Sequence, residues 1–131
     1  VKYGHWEYSG KIDVDSSFGF VYLITNTITG KRYLGKKQFH SYKKKKRVSE
    51  TKWREYTGSS TELNDDIRNM GKNNFKFQIL QVYKTRGGLV YGEANIQHKL
   101  NTLTETDKNG DRLWYNKQIG SIKFIPKEYY P

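Results

Sequence analysis

Glu93 is the acidic residue whose sequence surroundings most need an explanation. Projecting Leu89 to Leu103 as a helix, at about 100° per residue, places Leu89, Glu93, Ile96, Leu100 and Leu103 within an arc of roughly 80°. A carboxylate on such an apolar stripe is costly to desolvate unless something compensates it. Two accounts stay open at this point. Glu93 could lie at the core edge near the first helical turn and reach water or backbone amides. Alternatively a cation, or a cluster of cationic side chains, lies beneath it, as at a metal-dependent active site.

Tyr22 and Tyr33 pose a similar choice. Both fall in VYLITNTITGKRYLGKK, residues 21–37. A strand tyrosine usually packs. A phenol can also act as a base if neighbouring cations lower its pKa, and Lys36, Lys37 and His40 follow directly.

The cations are concentrated. Residues 31–54 hold 11 of the 24 Lys and Arg against Glu50 as the one acid, a local charge of +10, while the other 107 residues sum to +1. An internal basic block between patterned segments points to a polyanion, with Lys43, Lys44, Lys45, Lys46, Arg47, Lys52 and Arg54 as the track along a nucleic-acid backbone. The absence of cysteine excludes disulfides and thiolate chemistry. His5, His40 and His98 lack zinc-ligand spacing, so a bound metal would be a hard cation held by oxygen, such as magnesium. No G-x-S-x-G elbow supports a serine hydrolase. No run nears the roughly 18 apolar residues of a membrane span and no signal-peptide stretch opens the chain, which predicts a soluble, cytosolic protein.

Positioning these residues takes few elements. At 131 residues and 34% hydrophobic, the chain predicts one domain with a shallow, tyrosine-rich core. Residues 1–17 have no clean period and read as an arm or edge strand, with the domain proper from 18 to 131. Phe20, Tyr22 and Ile24 alternate with Val21, Leu23 and Thr25, a strand apolar on both faces. Asn26 to Gly30 makes the turn, and Lys31 to Gly35 returns as a second strand. The basic segment reads as a long loop containing a short helix or strand. Ser59-Ser60-Thr61-Glu62 fits a capping box, Leu63, Ile67 and Met70 mark a helical face, and Gly71 stops it. Phe75, Phe77 and Ile79 begin a third strand that continues through Leu80 and Val82. A second helix is predicted over Leu89–Leu103, and one short strand within residues 114–126. The fold class is α/β: a three-stranded sheet that starts with a hairpin, flanked by helices.

This order of signatures resembles the GIY-YIG nuclease superfamily. Phe20-Val21-Tyr22 after Gly19 is similar to its first signature and Tyr33-Leu34-Gly35 to its second, with Glu93 on the later helix and Asn116 in Tyr115-Asn116. The resemblance spans about Phe18 to Phe124. Lys36-Lys37 after the second signature and WREYTGSS, residues 53–60, look most similar to phage-encoded members, especially homing endonucleases. It implies hydrolysis of double-stranded DNA with Mg²⁺ or Mn²⁺, Glu93 as metal ligand, Tyr22 as base or proton relay, Tyr33 as its partner and Asn116 supporting the site. It also implies a phage-infected bacterial cytoplasm as the setting; a small stand-alone phage enzyme is the expectation, with a catalytic domain trimmed or excised from a longer protein left open beside it. Many members carry an Arg, with a His four residues later, on a helix after the second signature. Here His40 is preceded at that spacing by Lys36, so the phosphate-holding role stays open among Lys36, Lys37 and Arg47, and His40 reads equally well as an exposed loop residue. A single site favours nicking unless two chains assemble, which leaves a homodimer open.

Two competing readings have less behind them. Glu50-Thr51-Lys52 matches the E-x-K half of a restriction-type motif, with Asp13 or Asp15 as its first acid, yet it falls in a polar stretch. A non-catalytic nucleic-acid-binding module would use the tyrosines to stack bases and would leave Glu93 without a role.

Overall fold

The computed structural model describes residues 3–119. The chain runs β1 (Gly19–Asn26), β2 (Arg32–Gln38), β3 (His40–Lys43), β4 (Lys46–Glu50), a 3-10 turn (Trp53–Glu55), α1 (Thr61–Met70), a second 3-10 turn (Lys72–Asn74), β5 (Phe75–Tyr83) and α2 (Arg86–Lys99). Among the described residues β2, β1 and β5 form an antiparallel sheet in that order, and β3 pairs with β4 in a separate hairpin.

The period-two pattern of β1 builds both sides of the domain, because successive side chains leave a strand on opposite faces. Phe20, Tyr22 and Ile24 pack with Phe75, Phe77 and Ile79 of β5, Leu63 of α1, and the rings of Trp6, Phe39, Trp53 and Tyr115. Val21 packs on the other side with Phe18, Leu34, Leu89 of α2 and Trp114. Each large side chain so buried contributes about 1.5–3 kcal/mol. A β-bulge at Val21/Tyr22 leaves Leu80 as the extra residue of β5, 39% exposed.

Trp6 is buried and its indole N–H donates to the Trp53 carbonyl at 2.7 Å. Glu7 bridges Gln78 in parallel along the outer edge of β5, exchanging bonds with Phe77 and Ile79. Residues 113–116 cover the opposite edge. Arg32 N–H donates to the Leu113 carbonyl at 2.8 Å and Tyr115 N–H to the Arg32 carbonyl at 2.7 Å. Of the short strand expected over 114–126, the described residues contain a single parallel bridge, Trp114 to Arg32; the rest lies outside them.

Several boundaries differ from the expectation. β2 continues past Gly35 to Gln38 because pairing with β1 persists through Phe20↔Lys37 and Gly19↔Gln38, which holds Lys36 and Lys37 in the ladder. The basic segment is a hairpin rather than a loop. Ser60, not Ser59, caps α1 by accepting from Leu63 N–H at 3.2 Å, so Glu62 falls too early for a capping box and binds Lys31 at 2.6 Å instead. Gly71 does end α1, with φ +92 and ψ +134 rather than left-handed helical values. α2 starts three residues early because the Thr85 hydroxyl caps Gly88 N–H at 3.0 Å, and it stops at Lys99 where Asn101 takes φ +53. Leu103 therefore leaves the helical stripe and is 37% exposed. No helix among the described residues is long and apolar enough to cross a membrane.

Candidate active site

Strand register decides which side chains meet. Tyr22 lies opposite Gly35 and Ile24 opposite Tyr33, which puts both phenols on the α1 side of the sheet with ring centroids 6.2 Å apart. Tyr56 closes the group edge-on, 6.0 Å from Tyr22. Gly35 permits the arrangement: a Cβ there would stand 2.6 Å from Cζ of Tyr22 and closer still to its hydroxyl. Tyr33 exchanges a hydrogen bond with the Ser59 hydroxyl at 3.1 Å.

Glu93 approaches from α2. It is 6% exposed, and Lys36 Nζ donates to its Oε1 at 3.3 Å. The structure thus resolves the choice at this carboxylate toward a cationic side chain, supplied by the extended β2. Burial raises the Glu93 pKa and Lys36 opposes that rise. Neither phenol shifts in the direction that would make it a base. Burial holds Tyr22 well above the ordinary phenol range, with Tyr33, Tyr56 and Glu93 adding to the rise. Tyr33 is raised mainly by burial too, against the opposing Ser59 hydrogen bond.

A cleft of about 260 Å³ opens beside this group, lined by Lys36, Lys37, Tyr56, Arg86, Leu89 and Val90 among others. Lys37 Nζ stands 4.3 Å over the Tyr56 ring, and burial lowers its pKa.

Asn116 lies behind the second signature. Its Oδ1 accepts from Leu34 N–H at 3.0 Å and its Nδ2 donates to the Leu34 carbonyl at 2.8 Å, a carbonyl that also accepts from Gln97 at 3.2 Å. The side chain therefore pins the strand segment between Tyr33 and Gly35. His40 is not an exposed loop residue. It is buried at the base of the β3–β4 hairpin opposite Glu50, and its Nδ1 has no hydrogen-bond partner among the described residues. Arg47 stands away from the cleft and donates to the Asp15 carbonyl at 2.8 Å. Lys43, Lys44, Lys45 and Lys46 form the exposed hairpin tip. Lys44 and Lys45 both have positive φ, 52° and 66°, as a two-residue primed turn requires. Lys52 is exposed and Arg54 half-buried beyond the hairpin.

Glu50 is already engaged, accepting from Trp53 Nε1 at 2.8 Å and Arg54 at 2.7 Å, which lowers its pKa. That engagement is what weighs against the Glu50-Thr51-Lys52 reading. Among the described residues no three His, Asp or Glu side chains converge.

Sequence reasoning gave no role to Tyr56, Arg86 or Gln97. Tyr56 falls in a segment with no regular period, and Gln97 follows Glu93 by one helical turn on the buried side of α2. Arg86 precedes the helix predicted from Leu89, and the Thr85 cap is the available signal that the helix begins before it.

A family model described as "Putative endonuclease segE, GIY-YIG domain" matches residues 6–119. No curated protein and no solved structure matches the chain. With that match over most of its length, and a three-stranded antiparallel sheet between two helices, the chain belongs to the GIY-YIG nuclease superfamily as a segE-type DNA endonuclease domain.

Proposed function

We propose that the domain hydrolyses phosphodiester bonds of double-stranded DNA with a divalent cation, Mg²⁺ or Mn²⁺, held at Glu93. The observation that carries this reading is the Glu93 carboxylate itself: buried on α2 and countered by Lys36, which directly follows the second signature on β2. The donor set suits such an ion. Mg²⁺ commonly binds through one or two protein carboxylates plus waters and substrate phosphates, so a lone Glu fits where a multi-residue protein cage is absent among the described residues. The cation would supply Lewis-acid activation of a phosphoryl oxygen and of water.

The protein's own groups divide the remaining work. Tyr22, a protonated phenol at neutral pH, orients the attacking water and relays its proton, with Tyr33 as its partner. Lys36 neutralises Glu93 in the free protein and, with Lys37, faces the phosphate in the cleft. Asn116 fixes Leu34 and so the position of Tyr33 and Gly35. Lys43–Lys46, Arg47, Lys52 and Arg54 carry the DNA backbone, for which the charge of residues 31–54 is the support. His40 supports the hairpin base next to Glu50. We read the enzyme as a phage homing or stand-alone endonuclease that acts in the cytoplasm of an infected bacterium, a reading supported by the segE match. One site nicks; cutting both strands would take a homodimer.

The test is cleavage of supercoiled plasmid with Mg²⁺, with EDTA and with Glu93→Gln, beside a gel shift in EDTA. Loss of cutting in EDTA and in the variant, with binding retained, is the expected result. Metal-independent cutting, or full activity of Glu93→Gln, would overturn the assignment.

A further inference from the structure

We infer that Arg86 is the residue that grips the scissile phosphate in the cleft, an inference that rests on the nuclease reading of Glu93. The chain has six arginines. Arg32 pairs with Glu105, Arg54 with Glu50 and Arg68 with Asp65. Arg47 donates to the Asp15 carbonyl, and Arg112 to the carbonyls of Thr102 and Asn116. Arg86 makes no hydrogen bond or ion pair among the described residues; its guanidinium lies 5.2 Å over the ring of Phe18 at the cleft.

Its place on α2 supplies the second argument. Arg86 and Glu93 are seven residues apart, hence about 20° apart around the helix and about 10 Å apart along it. The two side chains share one stripe, which runs past the cleft-lining Leu89 and Val90. Side chains lean toward a helix's N-terminus, so Glu93 inclines toward the Arg86 end of that interval, and the two can address one phosphate from two sides. Lys36 and Lys37 line the same cleft, yet Lys36 is committed to Glu93 and Lys37 is seated on the Tyr56 ring. Both supply point charges. Arg86 supplies a planar fork that can take two non-bridging oxygens at once, and the Phe18 ring 5.2 Å beneath its guanidinium gives it a cation–π contact at the cleft.

The readouts are single-turnover cleavage of plasmid with Mg²⁺ and the salt dependence of binding in EDTA. Arg86→Ala is expected to lower the cleavage rate roughly 10²–10³-fold, the usual loss when one aligned donor to developing charge is removed. Arg86→Lys should recover only a small part, and millimolar guanidinium should partly restore Arg86→Ala without restoring Glu93→Gln. In EDTA, Arg86→Ala should reduce the salt slope by about 0.9, as loss of one phosphate contact does. Cleavage by Arg86→Ala within about threefold of the parent would refute the inference, as would a full rescue by Lys or an unchanged salt slope. Full activity of Glu93→Gln beside an impaired Arg86→Ala would instead locate the failure in the nuclease reading. The salt slope tests the contact even if cutting is not seen.

Discussion

Replacing Asn116 tests how far the second signature depends on a residue some 80 positions away. Both ends of its buried amide are spent on Leu34. In Asn116→Ala the Leu34 carbonyl keeps its bond from Gln97, so the Leu34 N–H is the group left without a partner. An unsatisfied buried donor costs about 1–3 kcal/mol, and the second lost bond adds about 1. The expected destabilisation is about 2–4 kcal/mol out of a total near 5–15, or roughly 8–16 °C at about 4 °C per kcal/mol. Thermal and urea unfolding followed by tryptophan fluorescence would measure it, with single-turnover cleavage in parallel. Asn116→Asp sharpens the test. One oxygen still accepts from Leu34 N–H while the other faces the Leu34 carbonyl, so the folded state should raise that carboxyl's pKa. A raised pKa means stability that is present at low pH and lost as pH rises through the folded value, so Asn116→Asp should be weaker at pH 8 than at pH 5. Unfolding of Asn116→Ala within about 0.5 kcal/mol of the parent would refute the strand-holding role. A variant equally stable but inactive would mean that Asn116 acts on the substrate instead.

Three further outcomes follow from particular contacts. Gly35→Ala should destabilise by about 1–3 kcal/mol and depress cleavage, because the added methyl meets a Tyr22 ring that is 1% exposed and has nowhere to move; an unchanged melting temperature would contradict this. Lys44→Asn with Lys45→Gly should relieve the positive-φ turn and stabilise by about 0.5–2 kcal/mol while removing about 1.8 from the salt slope of DNA binding. An unchanged slope would take the hairpin tip off the DNA track. His5 is held to a pKa of about 4 by burial and the nearby Lys72 charge, stacked 4.0 Å from Phe77 with Nε2 donating to the Tyr56 carbonyl at 2.9 Å. The folded pKa lies below the unfolded one, so the unfolded chain takes up the proton first, and stability should fall between about pH 6.5 and 4. Urea midpoints compared at pH 7 and pH 5 for the parent and His5→Phe check this, and equal slopes for the two proteins would contradict it.

The local sequence determined the elements whose signals are contained in a few neighbouring residues. The alternation of residues 20–25 made β1 a strand with two apolar faces, and Leu63, Ile67 and Gly71 marked α1 and its end. The helical projection exposed Glu93 as a carboxylate needing a partner, because burial of one face follows from period alone. Tertiary structure decided the partner. β2 reached Lys36 and Lys37 only because β1 continued to supply hydrogen bonds beyond Gly35, and no local pattern encodes how far a neighbouring strand extends. The hairpin tip turns on two lysines at positive φ, where sequence preference would ask for Asn-Gly, so pairing of the flanking strands overrode the turn's own chemistry. Arg86 entered α2 through the Thr85 cap despite Gly87 and Gly88. Asn116 found Leu34 because the chain returned along the edge of β2, a contact between residues remote in sequence that only the closed fold brings together.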